Sequence, residues 1–507
     1  MRALVLIVVA IGLGSPFGVS ALEVAPMFTN GMILQRELPV PVWGSAKAGD
    51  KIVVSFGGQE VTTKAGQGGD WMVKLAPMKA SVEGRTMTVR GRETVVFDDV
   101  LVGEVWLCSG QSNMGGTLKE AHWPLVEEDR EEIDFKAFRY SNAKRDGWVP
   151  IDEENYSLLS TVSYFFGIKL YRELNKEGIE VPVGLVPRAM SGSTIQSWMP
   201  KTVAEGMRRA LKIEWNPVKD QAHHQPGVMF EERLEPVIPY AVRGAIWYQG
   251  ESNSNLHAWH YQDMLPELIE TWRELWAEEA DEPLREFPFY FVQVPPQSRN
   301  SHYSRIRDSM RRVLDRAENT GMAVFYDYGP AVHPPNKEPA GERLALWALA
   351  KEYGFDELAY SGPLLRSVAI EDGRAVLEFD HVGGGLKGKD GGKRLKFFEL
   401  AGEDGEYVAA KAWIEGERVI VESDAVPAPV HVRYLFNRID TPKEEYSPEM
   451  SLYNEAGLPA SPFITDDVIP EPIDKVVRRE EEAKARKAEK AEKAKEADEE
   501  RRVKRRR

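Results

Sequence analysis

Apolar and polar positions change rhythm three times along this chain. From residue 22 to about 100 the apolar residues fall in short runs, at 39–43, 51–56, 71–75 and 87–90, separated by Gly-rich turns. Short strands punctuated by turns predict a small N-terminal β-sandwich-like domain. From about 101 to 360, strand-like runs at 102–107, 181–186, 244–248, 287–294 and 322–326 alternate with other segments at 160–174, 259–276, 303–317 and 338–353. The apolar residues of those segments recur at helical spacing. Alternation of this kind predicts an α/β domain of three layers, its parallel sheet covered by helices on both faces. From 361 to 465 strands return. Runs at 366–370 and 374–379 flank Asp372-Gly373, a strong hairpin signal, and runs at 419–421 and 430–434 follow. A second, C-terminal β-sandwich-like domain is expected there.

The two ends differ from the body. Met1-Arg2 precedes an apolar run at 3–13 and the small residues of Val19-Ser20-Ala21. That order predicts a signal peptide over 1–21, cleaved after Ala21, and a secreted or periplasmic, bacterial protein. Residues 466–507 form a charged tail that from about Asp474 is nearly all Glu, Lys, Arg and Ala, with i,i+4 ion pairs but no apolar face, so a solvated, fluctuating tail is expected. Its terminal arginines could touch an anionic surface.

Composition narrows the chemistry. A hydrophobic fraction of 42% in 507 residues supports a sizeable core and more than one domain. The net charge of −15, with no broad basic stripe, argues against a nucleic-acid partner. The single cysteine, Cys108, excludes an intrachain disulfide, and its place in a strand predicts a buried, inert thiol. His223-His224 has no carboxylate or cysteine at ligand spacing, so no metal is expected.

Three motifs carry chemistry. The apolar run from Val102 ends in Ser109-Gly110-Gln111-Ser112-Asn113-Met114, which puts a hydroxyl at a strand's carboxyl edge. It is not the α/β-hydrolase elbow, because Met114 stands where that turn needs Gly. Gly244–Tyr248 likewise runs into Gln249-Gly250-Glu251-Ser252-Asn253, and His333-Pro334-Pro335-Asn336-Lys337 precedes an amphipathic helix. These motifs, with Asn30-Gly31-Met32-Ile33-Leu34-Gln35-Arg36 and Leu458-Pro459-Ala460-Ser461-Pro462-Phe463, resemble the sialate O-acetylesterase-like carbohydrate esterases of the SGNH hydrolase superfamily. The resemblance spans most of residues 24–465 and agrees with the three-layer fold read from the pattern.

It implies a serine esterase that releases acetate from acetylated sugars, either O-acetylated sialic acid or an acetylated polysaccharide, without a cofactor. Ser112 is then the nucleophile and His333 the base. Relatives carry Asp two residues before this His, where this chain has Ala331. Glu251 is the favoured acid and Asp327, at a strand end, the alternative; a Ser-His dyad oriented by a backbone carbonyl is the third option. The expected oxyanion-hole donors are the Ser112 and Gly192 backbone N–H groups and the Gln249 side-chain amide. Relatives usually have Gly-Gly-Thr and a Glu where this chain has Ser191-Gly192-Ser193 and Gln196. Trp106, Trp198 and Trp247 flank the motifs, either as sugar-stacking rings or as core. The departures at Ala331, Ser191 and Gln196 motivate one rival, a non-catalytic glycan-binding or envelope protein on an esterase scaffold. Oligomeric state is not legible.

Overall fold

The computed structural model describes residues 21–466, apart from 124–133, 135, 143–146, 153, 179, 216–220, 255–256, 280–284, 297–301, 329–330 and 437–449. The expected signal segment, up to residue 20, and the charged tail from 467 lie outside the described residues.

Strand β1, Thr94–Gly110, organises the molecule. Its first part pairs antiparallel with Ser81–Arg90, and Leu101–Gly103 pair parallel with Ile33–Gln35. Its second part is the middle of a wider sheet. With β2 Phe138–Asn142, β3 Gly147–Pro150, β4 Val183–Ala189, β5 Gly244–Tyr248, β6 Phe289–Val292 and β7 Thr320–Ala323, the order is β3-β2-β4-β1-β5-β6-β7. All neighbours are parallel except β3, which is antiparallel to β2 and makes the sheet mixed. The division expected near residue 100 therefore falls inside one continuous strand. Every residue from Val100 to Gly110 is buried, as a strand covered on both faces requires.

Side chains alternate between two cores. Val105, Leu107, Ala245 and Trp247 face one; Trp106, Cys108, Ile246 and Tyr248 face the other. Helices α1 Thr161–Leu174 and α5 Glu338–Glu352 pack over the second core. Their backbones approach so closely that a Cβ on Gly341 would sit 2.6 Å from the Val162 carbonyl oxygen. Helices α3 Tyr261–Glu279 and α4 His302–Val313 cover the other face, and α2 Lys201–Leu211 lies between them and α1 in the chain. Ser160 caps α1 by accepting from the Ser163 N–H, which explains why the helix starts where the pattern predicted. The C-terminal region forms antiparallel sheets, one of five strands that includes Leu364–Glu371 and Arg374–Asp380. Asp372 and Gly373 both take positive φ, at 49° and 76°, as a two-residue hairpin turn demands. The expected runs at 51–56 and 244–248 coincide with strands, whereas β2 and β3 carried too few β-formers in sequence to be anticipated.

A buried carboxylate joins the N-terminal strands to the sheet. Glu104 on β1 is 0% exposed. It accepts from Gln35 Nε2 at 3.1 Å, Arg243 Nε at 3.0 Å, Tyr353 Oη at 3.0 Å, and Arg36 Nε. Burial alone would raise its pKa, but Arg243 and Arg36 outweigh that and hold it below the ordinary range. Removing the carboxylate leaves the two guanidiniums with only the exposed Glu37, at 3.8 and 3.5 Å, so Glu104→Gln should lower unfolding free energy at pH 7 by about 3 kcal/mol in urea titrations. A folded pKa held below the unfolded one stabilises above that range and loses the effect as pH falls through it. The gap between wild type and variant should therefore narrow on acidification; a gap constant with pH would assign the stability to packing instead.

Candidate active site

The carboxyl ends of β1, β4 and β5 meet where the chain leaves the central strand in both directions, the crevice in which open α/β sheets bind ligands. Gly110 ends β1 at φ 142°, and a Cβ there would lie 2.2 Å from the Tyr248 carbonyl oxygen. Only glycine brings β1 this close to the end of β5. The next residue donates its N–H to that same carbonyl at 2.9 Å, and Ser112 then opens a one-turn helix to Gly115.

Ser112 and His333 meet. Ser112 Oγ lies 2.8 Å from His333 Nε2, the reach a general base needs for a nucleophile's proton. The His333 ring makes no other hydrogen bond among the described residues, and burial followed by the nearby Lys337 cation lowers its pKa below the ordinary imidazole value. The Ser112 and Gly192 N–H groups donate to no acceptor among the described residues, so both are free to meet an oxyanion. Gly192 takes φ 76°, and its carbonyl, turned away, accepts from Ser252 Oγ and from His224 Nε2, each at 2.9 Å.

Three expectations are corrected. Gln249 is fully buried and its Nε2 already faces Gln111 Oε1, Ser193 O and Asn253 Oδ1 at 3.2, 3.1 and 2.8 Å. An amide with two hydrogens and three acceptors has none to spare for an oxyanion, so Gln249 braces the loops. Asp327 is paired with Arg343 through two bonds of 2.8 and 2.7 Å and does not reach His333. Glu251 is in the site but has a different contact. Its Oε1 accepts from Asn113 Nδ2, whose amide also donates to the Val332 carbonyl at 2.8 Å. Glu251 thus acts on the histidine loop through Asn113. Burial raises its carboxyl to about 7, with the Asn113 bond and Lys337 opposing. Trp106, Trp198 and Trp247 are all core, which removes them as stacking surfaces. Cys108 is buried, and burial pushes its thiol up to about 12, so it is inert. His223 and His224 pack against the Gly192 loop, and no group of three metal-ligating side chains occurs among the described residues.

Two residues of the site went unremarked in sequence. Asn113 follows the nucleophile directly, and Lys337 stands one helical turn beyond the base, at the start of α5. Lys337 is 7% exposed and its ammonium makes no hydrogen bond or ion pair among the described residues; burial lowers its pKa, while Glu120 and Glu251 oppose.

Comparison with known proteins fits this geometry. Residues 102–323 match the family described as carbohydrate esterase, sialic acid-specific acetylesterase. The structure superposes with a TM-score of 0.75 on a carbohydrate acetylesterase from Xanthomonas citri, with 31% identity, across 88% of this chain and 100% of that one. The chain belongs to the sialic acid-specific acetylesterase family of carbohydrate esterases. The sialate O-acetylesterase of Homo sapiens is 28% identical over 411 residues, covering 70% of this chain and 76% of the human protein. That of Rattus norvegicus is 27% identical over 444 residues, covering 72% and 80%. This family member is therefore a carboxylic ester hydrolase with a mixed α/β fold.

Asn113 ties Glu251 to the residue before the base. Asn113→Ala should lower kcat by about a hundredfold through misplacement of His333, with KM nearly unchanged. An unchanged kcat in stopped-flow assays would show that the His loop holds itself. A second outcome follows from charge. The base works only when neutral, so the rate falls as pH drops through the His333 pKa, which lies below 6.5. Lys337→Met removes a cation and should move that acid limb to higher pH. Because Glu251 also titrates near neutrality, the profile is taken in a Glu251→Gln background too; a limb that vanishes there belongs to the glutamate.

Proposed function

We propose that this esterase is a secreted carbohydrate O-acetylesterase that works through a serine nucleophile. The observation that carries the reading is the 2.8 Å contact between Ser112 Oγ and His333 Nε2 beside two unused N–H donors. Ser112 Oγ attacks the acetyl carbonyl as His333 Nε2 takes its proton. The oxyanion faces the Ser112 and Gly192 N–H groups. His333 returns the proton to the departing sugar hydroxyl, leaving an acetyl-enzyme. Water, deprotonated by the same imidazole, then releases acetate. With no carboxylate on His333 among the described residues, the pair works as a dyad, its loop fixed by Asn113 and Glu251.

The substrate is read as an O-acetylated sugar, sialic acid or polysaccharide, on the strength of the relatives' activities. The N- and C-terminal sheets are read as β-sandwich-like modules beside the SGNH-type domain. Secretion rests on the pattern of residues 1–21, and contact of the tail with an anionic envelope on its terminal arginines. Ser112→Ala should reduce acetate release from acetylated sugars by about a thousandfold or more while leaving the melting temperature nearly unchanged. In the wild type, a serine-reactive phosphonate should label Ser112, and the exported protein should begin at Leu22. Full activity in the alanine variant would eliminate the serine mechanism.

A further inference from the structure

Several part-buried arginines of this protein face carboxylates: Arg36 and Arg243 meet Glu104, Arg343 meets Asp327, and Arg433 meets Glu399, while the buried Arg273 donates to the backbone carbonyls of Phe287, Glu318 and Asn319. Arg188 and Arg233 have neither arrangement. Arg188, on β4 in register with Ser109, is 9% exposed. Its guanidinium donates only to its neighbour's carbonyl, Pro187 O, at 2.8 Å, to Ser141 Oγ at 3.3 Å, and to Met27 Sδ at 3.1 Å. Arg233 lies beside it, and its Nε is buried without an acceptor. Neither forms an ion pair among the described residues. Burial, with Arg233 adding to it, draws the Arg188 pKa down to about 10, still fully charged at neutral pH.

Both arginines line a cavity of about 690 Å³ between the N-terminal strands and the central sheet. Thr29, Ser141 and Trp148 form its wall, and Glu232 contributes the one acidic side chain among the described lining residues. A buried guanidinium without an anion, with a second, part-buried one beside it, is costly unless something supplies that anion. The volume suits a sugar ring, the Trp148 indole offers an apolar side, and planar guanidiniums match the geometry of a carboxylate. Among the described lining residues, two cations and one anion leave a single positive charge, which fits a monoanion better than a phosphate dianion. We propose that this cavity is a second carbohydrate subsite, separate from Ser112, that binds the carboxylate of an acidic sugar through Arg188 and Arg233. Because Arg188 is on the strand whose end carries Gly192, an occupant lies toward the catalytic edge, where it can hold a longer glycan for reaction.

The proposal rests on the carbohydrate esterase reading, but its binding test does not need catalysis. Glucuronate and N-acetylneuraminate, neither carrying an O-acetyl ester, are titrated calorimetrically into the wild-type protein, with xylose and sodium sulfate as controls. Both sugar acids should bind, xylose should not, and sulfate should bind at least tenfold more weakly than either acid. Arg233→Gln, at a less buried position, and Arg188→Lys, which keeps the charge but loses the fork, should each weaken sugar-acid binding by about tenfold or more. Both variants should hydrolyse 4-nitrophenyl acetate at the wild-type rate, while KM rises for an acetylated acidic oligosaccharide. Absence of sugar-acid binding, sulfate binding as tight as theirs, or equal affinity in folded variants would each overturn the subsite. Loss of 4-nitrophenyl acetate hydrolysis in Ser112→Ala together with unaltered sugar-acid binding would leave both readings standing.

Discussion

A carboxylate cannot be left charged and dry, and Glu104 is both buried and held ionised. That constraint recruits Arg36 from the N-terminal strands, Arg243 from the approach to β5, and Tyr353 from just beyond α5. Three distant stretches of chain are thus pinned to one point on β1. Six residues further along the same strand, Gly110 hands the chain to Ser112. A strand fixed at its base by an ion cluster and at its tip by the Tyr248 carbonyl has little freedom to move the nucleophile.

The same economy of connection holds the catalytic edge. The site is made from the ends of β1, β4 and β5 and from the loop that precedes α5, yet few bonds align it. Asn113 joins the β1 turn to Glu251 after β5 and to Val332 before the base. Gln249 joins the β5 turn to Gln111 and to Ser193 after β4. Both amides are interior and fully engaged through their nitrogens, and this is why neither is a donor to substrate. What remains for chemistry is the set of groups left unengaged: the Ser112 hydroxyl with His333, and two backbone N–H groups. Rigid amide bridges and free reactive groups are two sides of one arrangement.

Much of this was legible before any coordinates. Continuous apolar runs located β1 and β5, which are buried on both faces, and period-3.6 patterns located α1 and α5. The motifs placed Ser112 at a strand end and His333 in a loop before a helix, the resemblance named Gly192, and the structure brings Ser112 and His333 into contact. The failures share a cause. Whether Gln249 offers a hydrogen to substrate, or Asp327 reaches the histidine, depends on partners 16 to 138 residues away in sequence. Residue type announces a capacity to bond; only folding decides who accepts it. The boundary near residue 100 failed to appear as a break for a related reason: a change of pattern marks where strand partners change, and β1 changes partners without ending.

Net charge misleads in the same way. At −15 the chain is acidic, and a uniform acidic surface would repel an acidic sugar. The acidic excess lies elsewhere. Lys337 near the base, and Arg188 and Arg233 in the separate cavity, are cations without bonded carboxylates among the described residues, while Asp327 and Glu104 are neutralised by their own arginines. Fields at short range in a partly desolvated crevice outweigh a screened charge many Debye lengths of surface away. His333 already registers this local field, since Lys337 helps to keep its imidazole neutral and ready to accept the Ser112 proton. The charge that counts for the base is therefore a local one, the Lys337 cation, and not the net charge of the chain.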